Sequence, residues 1–286
     1  MTIKLAVPNK GRLHDPILDL LEDSGIGVLD RGARQLFANT NVEDLEVIFV
    51  RTQDIPNIVS SQAADLGITG HDLVEESGKD VEELLDLDFG KAEMVLAAHE
   101  KSSINSIEDV EGEVKVATEF PNVTRNYFEE KGIDIEMTEV SGATEITPFI
   151  GMADLIVDLT STGVTLRSHG LEVIDTLFET SVRLIADQES LEEKKEKIEE
   201  IVLAIESVIH AKPRKLIMMN VPENKVSEIK EIIPGMSGLT VSNVEGTDLM
   251  AIQAVVKSSE IYDLVNEVKE IGARDILVVP IERVLE

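Results

Sequence analysis

The sequence predicts an α/β fold that is followed by a separate C-terminal domain. Strand-like and helix-like segments alternate through the first 180 residues, a long amphipathic helix follows, and the remaining residues show a complete strand and helix order of their own. Alternation of this kind is typical of helices packed around a mainly parallel sheet. We therefore expect an α/β core and a domain boundary near residue 212.

The core contains short apolar runs suited to strands and longer periodic runs suited to helices. Strands are predicted at 3–7, 45–50, 64–69, 94–98, 114–118, 135–140 and 153–159. Helices are predicted at 15–24, 55–61, 72–77, 123–131 and 143–149. Two signals mark the start of the second helix: Asp54 is a residue type preferred at the N-cap, and Pro56 is compatible with the first helical turn.

The tail has a different character. A single amphipathic helix is predicted over 190–211, with Pro213 as its stop signal. Strands at 216–220, 239–244, 249–257 and 275–280 and helices at 222–233 and 258–271 follow it. The order β-α-β-β-α-β is that of a ferredoxin-like domain.

Composition excludes several classes of protein. The net charge is −30, from 26 basic and 56 acidic residues, and a surface of this sign repels nucleic acid and anionic lipid. The chain has no cysteine, so disulfides and thiolate chemistry are excluded. Neither a signal peptide nor an apolar run of membrane-spanning length is recognisable. We expect a cytoplasmic protein without nucleic-acid or membrane partners.

The segment 145–166, EITPFIGMADLIVDLTSTGVTL, carries the strongest chemical signal. A buried strand ends near Asp158 and is followed by a loop of small hydroxylic residues and one glycine. Ligands of open α/β sheets bind beyond the carboxyl ends of strands, and such a loop can surround an anion with N–H and hydroxyl donors. An acid just before the loop can accept hydrogen bonds from a ribose diol. The pattern therefore suits a ribose 5-phosphate.

Pattern alone leaves an alternative, because an ordinary β-to-α connection with a helix cap has the same residue types. The loop matches neither the Walker phosphate loop nor the dinucleotide pattern Gly-x-Gly-x-x-Gly.

The segment resembles the signature of the ATP phosphoribosyltransferase family at all of its specified positions, which are Glu145, Gly151, Ala153, Ile156, Asp158, Leu159, Thr162, Gly163, Thr165 and Leu166. Further segments resemble the same family in the same order: PNKGRL at 8–13, RTQDIP at 51–56, DLGITGHD at 65–72 and VATEFP at 116–121. The resemblance covers essentially the whole chain, including the additional C-terminal domain of the family's long form.

The resemblance implies two α/β lobes similar to type II periplasmic binding proteins. Lobe I would comprise residues 1–91 and 178–211, lobe II residues 92–177, and the regulatory domain residues 212–286. It also implies transfer of phosphoribose from phosphoribosyl pyrophosphate to N1 of ATP, with Mg²⁺ as cofactor. A homohexamer inhibited by histidine through the C-terminal domain is expected.

Site residues follow from the matched motifs. The loop residues Ser161, Thr162, Gly163, Val164 and Thr165 would hold the 5-phosphate. Asp158 would hold the ribose diol, and Glu145 would share this task. Three cations would face pyrophosphate or the ATP phosphates: Lys10, Arg12 and Arg51. Two more, Arg31 and Arg34, would reach the nucleotide. Asp72 would bind a ribose or cap its helix. The alternative for the cations is solvated surface charge.

Two other functions use related features. A non-catalytic solute-binding protein or effector domain needs only one ligand cleft between two lobes. A one-domain phosphoribosyltransferase has two adjacent acids before its phosphate loop, whereas Val157 precedes Asp158 here.

Overall fold

The computed structural model describes residues 2–29, 36–110, 112–233 and 238–285. The chain divides into two compact units, residues 1–22 with 26–202 and residues 23–25 with 203–286. Within the described ranges, every helix is too short or too polar to cross a lipid bilayer.

The first unit is built from eleven strands and seven helices in its described part. The strands are β1 (Ile3–Pro8), β2 (Phe37–Asn39), β3 (Leu45–Val50), β4 (Leu66–Gly70), β5 (Glu82–Asp86), β6 (Ala92–His99), β7 (Val114–Thr118), β8 (Ile135–Glu139), β9 (Leu155–Thr160), β10 (Leu171–Thr180) and β11 (Val182–Ala186). The helices are α1 (His14–Asp23), α2 (Ile55–Ser60), α3 (His71–Ser77), α4 (Pro121–Lys131), α5 (Val164–Ser168), α6 (Gln188–Glu193) and α7 (Lys195–Ala211), the last of which extends beyond this unit.

These strands form two sheets, each with its own apolar core. The sheet of lobe I has the order β2-β3-β1-β4-β11-β5, and the sheet of lobe II has the order β10-β6-β9-β7-β8. The chain passes from lobe I to lobe II after β5 and returns before β11. The expected two-lobed fold of the type II periplasmic binding proteins is confirmed.

Both sheets are mixed, but four of the six strands in lobe I and four of the five in lobe II run in one direction, in line with the expectation of a mainly parallel sheet. β1 pairs in parallel with β3 and β4, whereas the returning strand β11 is antiparallel to β4 and β5. In lobe II, β7 is parallel to β8 and β9, but β6 is antiparallel to both β9 and β10. The reversed strands β6 and β11 are the first strands that the chain forms after each crossing between the lobes.

The central strands are apolar because they are covered on both faces. Leu155, Ile156 and Val157 of β9 are fully buried, and so are four consecutive residues of β6. The acidic edge strand β5 and the long strand β10 were not predicted. The first has the sequence EELLD, and bulges interrupt the pairing of the second with β6, so neither shows a clear alternation.

Three local predictions are wrong. Residues 143–149 form only a 3₁₀ turn at Thr144–Ile146, since Ala143 is left-handed and Pro148 cannot continue a helix. Asp54 has helical backbone angles and makes no side-chain cap bond to α2. The helix predicted over 190–211 is divided into α6 and α7.

Lys194 lies at the break between α6 and α7. Its Nζ donates to Asp65 Oδ1 at 2.7 Å and to the carbonyl of Thr2 at 3.1 Å, and Ser190 Oγ donates to the same Asp65 oxygen at 2.9 Å. The Lys194 side chain is only 20% exposed and the Asp65 side chain 8%. Lys194 therefore anchors the returning chain to lobe I and does not belong to a solvated helix face.

The second unit contains the remaining strands β12 (Arg214–Pro222), β13 (Thr240–Asn243), β14 (Leu249–Lys257) and β15 (Arg274–Pro280), with helices α8 (Val226–Ile232) and α9 (Ile261–Ile271). The antiparallel sheet has the order β13-β14-β12-β15. Its core includes Ile217, Met219, Ile252 and Val268. This confirms the ferredoxin-like domain.

Candidate active site

The loop after β9 is held in one conformation by its own side chains. Thr160 Oγ1 accepts a hydrogen bond from the Gly163 N–H at 2.9 Å, and Arg167 Nη2 donates to the Thr162 carbonyl at 2.9 Å. Gly163 has φ +67°, and a Cβ at this position would lie 2.7 Å from Arg167 Nη1. The left-handed backbone angles therefore favour glycine at this position, whereas the Arg167 side-chain end could move to make room.

The hydroxylic residues of this loop face outward. Ser161, Thr162 and Thr165 are exposed, as is Val164, whereas Gly163 is buried. Hydroxyl and N–H donors at the carboxyl end of a central strand are suited to a phosphate ester.

Asp158 lies on β9 two residues before Thr160. Burial raises its pKa to about 6, and the charges of Glu119 and Glu145 act in the same direction. The N–H of Leu159, which donates to Asp158 Oδ1 at 2.7 Å, opposes this rise. Three carboxylates therefore influence one another at this edge of lobe II.

Glu119 was not predicted as a site residue. The register of β7 and β9 pairs Thr118 with Val157, so the next residues, Glu119 and Asp158, are neighbours at the carboxyl edge. The sequence does show an acid directly after a predicted strand. Its role in the site becomes evident only from the pairing of β7 with β9, which places it beside Asp158.

The cations of lobe I lie at a cavity of about 180 Å³. Lys10 and Arg12 line it from the loop after β1, and Asp72 lines it from the first turn of α3. Both cations are exposed, and Asp72 is 9% exposed. Burial raises the pKa of Asp72, while its hydrogen bond from Thr180 and the charge of Arg12 lower it.

Asp72 also joins the lobes. Its carboxylate accepts a hydrogen bond from Thr180 Oγ1 at 2.8 Å, and its N–H donates to the same hydroxyl at 3.0 Å. Thr180 is the last residue of β10. A second cavity of about 320 Å³ is lined by Ser161, Thr180, Ser181 and Arg183, among others, and Ser181 lines both cavities. The cations of lobe I and the loop of lobe II therefore border adjoining spaces.

The remaining predicted residues are placed as follows. Glu145 lies in the short 3₁₀ turn, half-buried and electrostatically coupled to Asp158. Arg51 is exposed directly after β3 and does not line the cavity, although its neighbour Thr52 does. Arg31 and Arg34 lie outside the described residues. Thr180 and Ser181 were missed, because no pattern marks the return strand.

Among the residues that the structure describes, no three His, Asp or Glu side chains are placed to bind one metal ion together. We therefore derive no catalytic step through a protein-held metal.

The fold and these groups define a class: a two-lobed α/β protein whose lobes present a hydroxylic loop, a carboxylate and cations suited to a phosphorylated sugar. The family model described as ATP phosphoribosyltransferase matches residues 51–207, and the model described as HisG, C-terminal domain, matches residues 211–283. The chain belongs to the ATP phosphoribosyltransferase family, in its long form, and this family carries out the first step of histidine biosynthesis.

Relatives agree along the full length. The ATP phosphoribosyltransferase of Methanocaldococcus jannaschii is 53% identical over 99% of this chain and 100% of its own. That of Methanothermobacter thermautotrophicus is 50% identical over 100% of both. A chain of the solved ATP phosphoribosyl transferase (HisG:HisZ) complex from Thermotoga maritima is 32% identical, with a TM-score of 0.63 over 72% of this chain and 99% of that chain.

Proposed function

We propose that the groups around Asp158 and Lys10 catalyse the transfer of phosphoribose to N1 of ATP. In this reaction the bond between C1 of ribose and the pyrophosphate oxygen breaks, and its electron pair leaves with pyrophosphate. The lone pair of adenine N1 forms the new bond to C1. Positive charge develops on the ribose ring and negative charge on the leaving group, so no side-chain nucleophile is required.

The observation that carries this proposal is the sequence of groups at the end of β9. Asp158 stands immediately before a loop that Thr160 and Arg167 hold in place. We propose that Ser161, Thr162, Gly163, Val164 and Thr165 bind the 5-phosphate. Asp158, assisted by Glu145 and Glu119, accepts hydrogen bonds from the ribose hydroxyls. Their negative charge also favours the positive ring of the transition state.

The lobe I cations complete the proposed site. Lys10 and Arg12 neutralise charge on pyrophosphate or on the ATP phosphates, and Arg51 is proposed to do so from its exposed position after β3. We also assign Arg31 and Arg34 to the nucleotide, on the family resemblance alone. Asp72 is proposed to contact a ribose hydroxyl from the same cavity.

Mg²⁺ is proposed as the cofactor and would arrive bound to pyrophosphate oxygens. This ion usually keeps several waters and takes only one or two carboxylates from a protein. With ATP as a substrate, we place the reaction in the cytoplasm.

The activity test is direct. Protein incubated with ATP, phosphoribosyl pyrophosphate and Mg²⁺ should release pyrophosphate and form an N1-substituted adenosine product, identified by its absorbance and mass. Thr162→Val should form it more slowly. Binding of a small solute without formation of this product would favour the solute-binding alternative and refute the enzyme.

The C-terminal domain is proposed to bind histidine as a feedback inhibitor in a homohexamer. The support is a complete ferredoxin-like domain in the second unit and its match to the family's C-terminal model. Inhibition requires that histidine bind one conformation or assembly better than another.

A chain ending at Lys212 should escape inhibition by histidine, measured relative to its own uninhibited rate. Calorimetry should show histidine binding to the full chain and none to the shortened one. Unchanged inhibition of the shortened chain would place the sensor elsewhere. Sedimentation of the full chain with and without histidine tests the hexamer.

A further inference from the structure

Helix α3 belongs to lobe I by chain order, but its Glu76 binds lobe II. Glu76 Oε1 and Oε2 accept from the Asn122 N–H at 3.1 and 3.0 Å, and Oε2 also accepts from the Val123 N–H at 3.0 Å. In return, Asn122 Nδ2 donates to the Glu76 carbonyl at 2.9 Å. Asn122 and Val123 lie in the first turn of α4, so one carboxylate of lobe I caps a helix of lobe II.

This contact supplies what α4 lacks locally. The first N–H groups of a helix have no partner within the helix, and an anion is favoured at its N-terminus. Phe120, the residue at the N-cap position, offers no side-chain acceptor, and Pro121 fills the first helical position. Glu76, which lies 46 residues before Asn122 in the chain, provides the acceptor. Burial raises the pKa of Glu76, while the N–H groups and Arg125 oppose that rise.

Two further contacts connect α3 to lobe II. Leu73 packs against the apolar core of lobe II, and Asp72 shares the hydrogen bonds with Thr180 described above. Glu76 is placed one helical turn beyond Asp72, on the same short helix. The helix therefore contacts lobe II near both of its ends.

The elements joined by Glu76 also carry the two halves of the proposed site. α3 begins at the Lys10 and Arg12 cavity, because Asp72 lines it. α4 begins two residues after Glu119, whose charge acts on Asp158. A change in the distance between α3 and α4 would therefore change the distance between the cations of lobe I and the ribose-binding acids of lobe II.

We propose that Glu76 is a positioning residue that fixes the two lobes at the spacing that the reaction needs. We expect it to contact neither substrate. Its carboxylate acts through α4, and the proposal rests on the function proposed above. Each substrate alone would still bind without Glu76, because the loop and acids of lobe II and the cations of lobe I keep their local surroundings, but the two reacting atoms would no longer be held together.

Glu76→Ala tests this directly, with Glu75→Ala as the matched control. Glu75 is the adjacent acid on α3, and the contact described for its carboxylate is His71 Nε2 at 4.0 Å. Loss of hydrogen bonds to a charged group should lower kcat by about 10-fold or more in Glu76→Ala. Dissociation constants for ATP alone and for phosphoribosyl pyrophosphate alone should stay within about 2-fold of the wild-type values, which corresponds to roughly 0.4 kcal/mol of binding free energy. Glu75→Ala should match wild type in both.

A second measurement follows the contact without using activity. Amide hydrogen exchange of residues 122–124 should accelerate in Glu76→Ala and stay at the wild-type rate in Glu75→Ala. If Glu76→Ala does not fold, Glu76→Gln replaces it, since its amide oxygen retains one acceptor without charge and should give a smaller loss of kcat.

The outcomes separate two failures. Faster exchange with wild-type kcat, or a loss of kcat matched by an equal loss of substrate affinity, would overturn the positioning role. Wild-type protein that forms no N1-substituted product would refute the proposed function, whereas the exchange data would still report whether Glu76 holds α4.

Discussion

In lobe I the charges at the proposed site are cations on exposed loop positions, whereas in lobe II they are carboxylates near a central strand. Lys10 and Arg12 form no salt bridge within the described part of the chain. Asp158, by contrast, lies on β9, where burial and the charges of Glu119 and Glu145 raise its pKa to about 6. The loop beside it is held by Thr160 and Arg167.

This difference indicates a division of labour. A protein with a net charge of −30 cannot attract polyanions by its overall field, so exposed local cations must do so. Exposed charges are adaptable but are screened by salt. A carboxylate in a rigid, partly desolvated site instead gives orientation, at a cost in stability. Lobe I would therefore recruit phosphates, and lobe II would orient the ribose.

Removing the cations should give the largest effect. We expect Lys10→Ala and Arg12→Ala each to lower kcat/KM by roughly 10- to 150-fold, since each loses a charge-assisted hydrogen bond. Arg51→Ala should follow the same direction. Steady-state kinetics at two ionic strengths measures this, and the wild-type rate should fall with salt more steeply than the variants' rates.

Lys195→Ala is the appropriate control for the cations. Its side chain is 70% exposed and pairs only with Glu199 on the same helix face, so activity should be unchanged. Lys194→Ala is unsuitable, because it breaks a pair with buried Asp65 and should destabilise the fold. Full activity of both Lys10→Ala and Arg12→Ala would show that these cations are only surface charge.

The loop variants should show a smaller and more selective effect. Thr162→Val removes a hydroxyl, and Gly163→Ala places an alanine in left-handed backbone angles that favour glycine. Both should raise the KM for phosphoribosyl pyrophosphate by about 10-fold or more, with the KM for ATP nearly unchanged. Normal KM values for both substrates in both variants would identify the loop as an ordinary turn.

Asp158 should show itself in the dependence on pH. Its folded pKa of about 6 lies above its ordinary value, so its ionised form is disfavoured by folding. The penalty is absent near pH 4 and below, develops as pH rises, and is complete above about pH 6. Asp158→Asn should therefore raise the free energy of unfolding by about 1–3 kcal/mol at pH 8, with little change near pH 4. Denaturant titration at both values measures it.

Activity should increase with pH over the range in which ionisation of Asp158 lowers the stability. Wild-type kcat/KM for phosphoribosyl pyrophosphate should rise through about pH 6, as Asp158 becomes an acceptor for the ribose hydroxyls. Asp158→Asn should be slow throughout and lack this rise. The same rise in the variant would assign it to another group, such as the pyrophosphate itself.

Some elements of the fold and the site could be predicted from the sequence, and others could not. The end of β9 was predictable, because an apolar strand, an acid and a hydroxylic loop are consecutive residues. The ferredoxin-like tail was predictable for the same reason, since its order is local. Glu119 and Thr180 were not, because their positions depend on which strands are neighbours. The register of β7 with β9 and the return through β10 are long-range facts.

Helix ends show the same limit on a smaller scale. Periodicity predicts one helix over 190–211, but the pair of Lys194 with Asp65 divides it, and Asp65 lies 129 positions away. Similarly, the cap of α4 comes from Glu76 in the other lobe rather than from Phe120. Such tertiary contacts override the local preference for helix, and they cannot be predicted from the residues near the helix end.

The central claim is that lobe II binds the phosphoribosyl group while lobe I provides for the other anions. Calorimetric titration of Asp158→Asn with each substrate separately tests it most directly. The account predicts about 10-fold weaker binding of phosphoribosyl pyrophosphate, from a lost charged acceptor, and unchanged binding of ATP. Equal weakening of both substrates, or weakening of ATP alone, would contradict this division between the lobes.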